Sequence, residues 1–332
     1  MQVKNSKKIN ILITGVGGPA GINTAKLLQK YKKNFNIFGI DINIYSAGQF
    51  FCDKFFICER VSDEKKYIEW MKNFVLKNKI DVIIPTVAEE LILMQKLEKL
   101  ISPKIIIVAS SHAVLEICDE KDKLYSWMSE ILPEYMGQWS RINQTKLFPS
   151  ANYFIKPVKG RGSRGCRLVT SDELKHLIKV NKTEMMNFIA MENLPGREWT
   201  VDAYVNQDGS LAYVVPRLRL GLSGGISQIG QTDKNKLVID TATKIFQAMQ
   251  EKIGNLYGPV FVQLKEDKNG IPKMVEVNPR ASGGLTITAA SGANLADCLF
   301  AEIIKGKRLY NIKWKEVVVT RYFEEKVIKK KV

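Results

Sequence analysis

Residues 9–14, INILIT, form a short apolar run that stops abruptly at a glycine-rich segment, Gly15-Val-Gly-Gly-Pro-Ala-Gly21. A run of this length suits a buried strand and falls well short of the roughly 18 apolar residues that mark a membrane span. The pattern recurs at 36–41 (NIFGID), 54–57, 81–84 (DVII) and 104–108 (KIIIV), with amphipathic stretches near 62–77 and 89–100 and a helix from the glycines to about Lys30. Short apolar strands alternating with helices predict an open parallel sheet covered on both faces. The lysine-containing start superficially resembles a secretion signal, but the apolar run has no cleavage-like end, so a first strand is the better reading.

Glycines between a strand and a helix allow a tight turn and close backbone approach at a helix N-terminus, where anions bind. Pro19 interrupts the dinucleotide fingerprint, and Asp41 at the end of the second strand suits either a ribose contact or an ordinary strand-end turn. No Tyr/Lys or His arrangement of an oxidoreductase stands out. Pro85-Thr86 follows a strand at its carboxyl end, where open sheets bind ligands, which makes Thr86 a substrate-side candidate. Glu89 and Glu90 read as the acidic first turn of the next helix.

The formal charge of +16 invites a nucleic-acid reading. The lysines, however, are spread over helical stretches with no arginine-rich arm, and such a surface also suits anionic small molecules. Nucleic acid and membrane are therefore not expected as partners. Five scattered cysteines without CxxC spacing fit a reducing cytoplasm, and two histidines make a zinc site a poor reading.

From about residue 110 the pattern changes. Asp119-Glu-Lys-Asp-Lys123 opens a helix. The segment 153-YFIKPVKGRGSRG-165 carries Lys156 on a strand and then a loop in which Gly160, Gly162 and Gly165 alternate with cations and Ser163. Such a loop can turn N–H groups toward phosphate, although a basic glycine-rich hairpin is also an ordinary exposed turn, and no P-loop ending follows. In 189-IAMENLPGREWTVDAYV-205, Glu198 and Asp202 share one face of a strand by its period of two. Arg217 and Arg219 alternate with apolar neighbours and suit either an anion or a wet strand face. In 273-KMVEVNPRASGG-284, Glu276 and Asn278 offer oxygen ligands at i and i+2 on a strand that otherwise reads apolar, and Arg280 follows.

Taken together, the ordered set FIKP, glycine-rich loop, MENLPGREWTVD, GPVFVQ and MVEVNPR resembles the ATP-grasp superfamily, and within it the single-copy relatives of the carbamoyl-phosphate synthase large subunit. The similarity runs from the first strand to about residue 305. The resemblance implies a Rossmann-like pre-ATP-grasp domain at 1–112 and an ATP-grasp domain at 113–332 with a lid subdomain of about 148–194. It further implies a ligase using ATP and Mg2+ (or Mn2+) to join a small carboxylate to an amine; the alternative on the same fold is a nucleotide-binding regulator or phosphotransferase. Carried over by motif, Lys123 and Lys156 would contact phosphates, Gly160–Gly165 would close over them, Glu192, Asn193 and Leu194 would hold adenine, and Glu198 the ribose. Glu276 and Asn278 would ligate the metal with Gln263 beside them, and Arg280 would steady the transferring phosphate. Two departures, the absence of a histidine in 217–232 and the Ala281-Ser-Gly-Gly284 continuation, fall on the acceptor side and argue against bicarbonate chemistry. The apolar stretch 316–322 is expected either to complete a sheet or to pair with a second copy in a homodimer.

Overall fold

The computed structural model describes residues 8–142, 147–160, 164–223, 226–322 and 324–328, and every count below refers to these. Strands β1 (Ile9–Ile13), β2 (Phe35–Asp41), β3 (Lys54–Ile57), β4 (Val82–Ile84) and β5 (Ile106–Ile107) form a parallel sheet in the order β3-β2-β1-β4-β5. Helix α1 (Pro19–Leu28) packs against Ile11 and Ile13, while α2 (Glu64–Lys77) and α3 (Leu91–Glu98) pack against Leu12, so alternate β1 residues enter cores on opposite faces. In α2, Asp63 caps the first turn by accepting from Lys66 N, and Tyr67, Met71, Phe74 and Val75 give the buried stripe. The strand order reverses between β1 and β4, which opens a crevice beyond their carboxyl ends.

The chain continues through α4 (His112–Asp119) and α5 (Lys121–Ile131) into a small antiparallel sheet. Its strands are β6 (Trp139–Arg141), β7 (Asn152–Pro157), β8 (Arg167–Thr170) and β9 (Phe188–Glu192), ordered β6-β9-β7-β8, with α6 (Ser171–Val180) and α7 (Lys182–Met185) between β8 and β9. Thr170 and Glu173 form a reciprocal capping box at the start of α6.

The largest sheet is antiparallel and has six strands: β10 (Glu198–Val205), β11 (Leu211–Ser223), β12 (Ile226–Thr232), β13 (Gly258–Glu266), β14 (Pro272–Asn278) and β15 (Val318–Thr320). Helix α8 (Lys236–Lys252) joins β12 to β13, and α9 (Leu285–Ala290) and α10 (Leu295–Lys305) follow β14. Trp199, Val201, Ala203 and Val205 of β10 enter one core with Ile245, Phe246 and Met249 of α8, leaving Glu198, Thr200 and Asp202 for the opposite face. The stretch expected at 316–322 does complete a sheet, as β15 pairs with β12 at the edge. The mixed α/β architecture is the one the sequence pattern predicts.

The first sheet is joined firmly to the rest. Ile11, Ile13 and Leu28 share a core with Tyr204, Leu295 and Leu299, Tyr31 stacks on Phe300 at 4.1 Å, and its hydroxyl donates to Asp297 at 2.8 Å. At the turn after β1, Gly15 takes a positive φ of 54°, and a Cβ on Gly21 would stand 2.4 Å from the Gly15 carbonyl oxygen and 2.7 Å from Val16 Cα. Both obstacles are backbone, so Gly21→Ala is expected to lower stability by about 1–3 kcal/mol. Urea unfolding monitored by circular dichroism checks this, and an unchanged midpoint would show that the turn can open without cost.

Candidate functional site

The main cleft, roughly 510 Å³, lies between the small sheet and the six-stranded sheet and is closed at one end by the turns after β1 and β4. That volume is ordinary for a pocket holding a small ligand. Its floor depends on a β-bulge. Gln263 of β13 is opposite Glu276 of β14, but Leu264 is opposite Met274, which makes Val275 an extra residue. The bulge brings Val275 and Glu276 together onto the cleft side while Met274 and Val277 both stay in the core. It also frees the Val275 carbonyl, which accepts from Lys156 Nζ at 3.0 Å and from the Tyr125 hydroxyl.

Lys156 projects from β7 across the cleft and is 3% exposed, with its ammonium 4.9 Å from the Tyr125 ring centre. Burial lowers its pKa to about 8, while Glu276 pulls the other way and Lys121 adds to the fall. Lys121 is itself buried and donates to the Gly160 carbonyl at 2.8 Å.

The structure brings Lys156, Gly160, Glu192, Asn193, Leu194, Glu198, Gln263, Glu276 and Arg280 to this one cleft, and Thr86, Arg217 and Arg219 also line it. Asn278 lies one period beyond Glu276 on β14, opposite Phe261, and neither Asn278 nor Gly165 lines the cleft. Gly162 and Ser163 fall outside the described residues. Lys123 requires a correction, since it is exposed and pairs with Glu120 at 3.4 Å. The cleft lysine is Lys121, because two residues in a helix rotate the side chain by about 200° and only one of the two can face inward.

Arg217 is not available as a surface anion site either. It is 2% exposed, and its Nε donates to Asp202 Oδ2 at 2.7 Å while one Nη donates to Ser282 Oγ at 2.9 Å. Thr288 donates to the same Asp202 oxygen. Arg219 stands 3.2 Å from Glu198 and within 3.3 Å of Thr200 Oγ1. The Arg280 guanidinium lies 5.2 Å from the Phe261 ring centre.

At the closed end, Gly15, Gly18, Pro19 and Ala20 meet Thr86–Glu89. Asp41 accepts from Gly17 N at 2.7 Å and so braces the glycine turn. The Thr86 hydroxyl donates to the Thr14 carbonyl at 2.7 Å. Glu90 does lie in a helical first turn, that of residues 88–90, but it is 1% exposed and accepts from Thr86 N at 3.1 Å, Val87 N at 3.0 Å and the hydroxyls of Thr14 and Tyr67. Burial raises its pKa, against the pull of those donors.

The family described as "ATP-grasp in the biosynthetic pathway with Ter operon" matches residues 184–326, and the family described as "PylC-like, N-terminal domain" matches residues 11–109. The matched segment 184–326 is thus similar to an ATP-grasp family. Among solved structures, an L-amino acid ligase from Bacillus licheniformis superposes with a TM-score of 0.68 at 14% identity, covering 93% of this chain and 78% of the other. An N5-carboxyaminoimidazole synthetase from Staphylococcus aureus complexed with ADP gives 0.72 at 15% identity, covering 96% and 84%. The biotin carboxylase domain of the Hydrogenobacter thermophilus 2-oxoglutarate carboxylase, with MgADP, ADP and bicarbonate, gives 0.70 at 13%, covering 94% and 74%. No curated protein matches the sequence. Among the described residues, no helix is long and apolar enough to cross a membrane.

A lysine whose folded pKa is depressed binds fewer protons folded than unfolded between that pKa and its ordinary value, so it makes stability rise with pH across that window. For Lys156 the window opens near pH 8 and closes near 10.5. The unfolding free energy of the wild type minus that of Lys156→Met should therefore climb from pH 8 to 10.5, by about 3 kcal/mol at most. Paired denaturant titrations measure it, and a flat difference would mean that Lys156 is solvated.

Proposed function

We propose that this chain is an ATP- and Mg2+-dependent ligase that activates a small carboxylate as an acyl phosphate and couples it to an amine. The observation that carries the reading is the convergence of Lys156, Glu276 and Arg280 in one cleft that also holds Glu192–Leu194 and Glu198. Two of the similar structures hold ADP or MgADP, which supports the same nucleotide here. On this reading the chain divides near residue 112 into a pre-ATP-grasp and an ATP-grasp domain, with about 148–194 as the lid. Five free cysteines support a reducing cytoplasm as its compartment.

Lys121 and Lys156 supply the charge that meets the α- and β-phosphates, Glu192–Leu194 holds adenine, and Glu198, held by Arg219, takes the ribose. The oxygen donors fit Mg2+. Glu276 and Gln263 face each other across β13 and β14, and Asn278 follows on the same strand. No group of three acidic, histidine or cysteine side chains stands ready to cage a metal among the described residues. Mg2+ commonly takes one or two carboxylates and completes its shell with phosphate and water. Bound there, it would offset the phosphate charge that grows during transfer.

In the reaction, an acceptor carboxylate oxygen bonds to the γ-phosphorus as the bridging P–O bond breaks and ADP leaves. The amine nitrogen then attacks the acyl carbon, phosphate departs with the ester oxygen, and the nitrogen gives up a proton. No side-chain nucleophile takes part. The chain contributes alignment, positive charge at Arg280 and Lys156, and exclusion of water from the acyl phosphate.

Coupled release of ADP and phosphate, assayed with Mg2+, pooled carboxylates and pooled amines, tests the reading. Turnover should require both pools, and Glu276→Gln should lower kcat by about 100-fold or more. Phosphate transfer that needs one acceptor class alone would favour a phosphotransferase, and failure to bind MgADP would remove the nucleotide from the account.

A further inference from the structure

The turn Ser282–Gly284 follows Arg280 with only Ala281 between them and lines the cleft near the turns after β1 and β4. Three distant parts of the chain hold it. Arg217 of β11 donates to Ser282 Oγ at 2.9 Å, and so close is the approach that a Cβ on Gly284 would stand 2.2 Å from an Arg217 Nη. Asn23 of α1 donates from Nδ2 to the Gly283 carbonyl at 2.9 Å. Arg321, just past β15, donates from one Nη to that same carbonyl at 2.7 Å and to Thr286 Oγ1 at 3.2 Å.

Arg321 is itself anchored, since its backbone N donates to the Gln228 carbonyl at 2.9 Å and continues the β12–β15 ladder. Burial and the nearby Arg217 charge lower its pKa from the ordinary arginine value, with Asp202 opposing the fall. Two guanidinium groups therefore stand behind one turn, and the bidentate carboxylate of Asp202 is taken by Arg217. The hydrogen bonds of Arg321 run to a carbonyl and a hydroxyl, neither of which cancels its charge.

We propose that Arg321 is a positioning residue for the acceptor end of the cleft, locking the Ser282–Gly284 turn and giving it net positive charge toward an anionic acceptor. Naming that end the acceptor end rests on the ligase reading; the mechanical part does not. A lysine in place of Arg321 keeps the charge but has one nitrogen and no planar fork to span the carbonyl and the hydroxyl.

Hydrogen exchange by mass spectrometry on the full chain, comparing wild type, Arg321→Gln and Arg321→Lys, tests it. Amides of 282–291 should exchange about tenfold faster in Arg321→Gln and a few-fold faster in Arg321→Lys, with β7 amides and MgADP affinity within about twofold. Unchanged exchange in 282–291, or equal acceleration along the whole chain in both variants, overturns the proposal. With an acceptor carboxylate in hand, Arg321→Gln should raise its KM by about tenfold and leave the ATP KM in place; equal changes in both overturn the positioning role. A wild type that fails to bind MgADP counts against the ligase reading alone, because the exchange comparison needs no nucleotide.

Discussion

The buried pair between Arg217 and Asp202 sits where β10, β11, α9 and the Ser282–Gly284 turn meet, with both side chains 2% exposed. Taking two charges out of water is costly, and the cost is offset only if the remaining donors and acceptors are met. Thr288 and Ser282 meet them, each from a different segment. Loss of one partner from such a pair typically costs about 3–5 kcal/mol, so the sheet, helix and turn are obliged to stay in one arrangement. The cleft wall inherits its rigidity from that obligation.

The cleft itself holds cations and carboxylates in surroundings drier than the surface. Lys156 keeps a depressed pKa because Glu276 compensates only part of its desolvation. An anionic ligand placed beside it would restore the balance, which is how an empty cleft and a phosphate-filled one can differ in electrostatic cost. At the other end, Glu90 ties the glycine turn and the Thr86–Glu89 segment together from behind. The lining there is shaped by groups that never reach its surface.

Much of this is legible in the sequence where local pattern decides the outcome. The run at 54–57 is β3 residue for residue, and alternation in Glu198–Val205 separates the residues packed on α8 from those on the opposite face. The ordered motifs from Lys156 to Arg280 bring together most of the residues now found around the cleft. What escapes depends on contacts distant in sequence or on a single step of phase. Lys121 and Lys123 look equivalent until the helix start is known. Glu90 is the first-turn acid it looks like, but its burial escapes because its partners lie as far away as Thr14 and Tyr67. Arg321 carries no motif, and its role emerges only when β15 is laid beside β12.

The bulge at Val275 gives β14 something like a reading frame. Upstream of it the strand is in phase with the core, and downstream it is in phase with the cleft, so Met274 and Glu276 each meet the surroundings their chemistry needs. A substitution in this strand alters one side chain, whereas a residue gained or lost between the bulge and Asn278, where the strand ends, would turn the strand side chains beyond it to the opposite face. Within β14, then, the number of residues from Val275 to the strand end matters to the cleft in a way that the identity of any one of them does not.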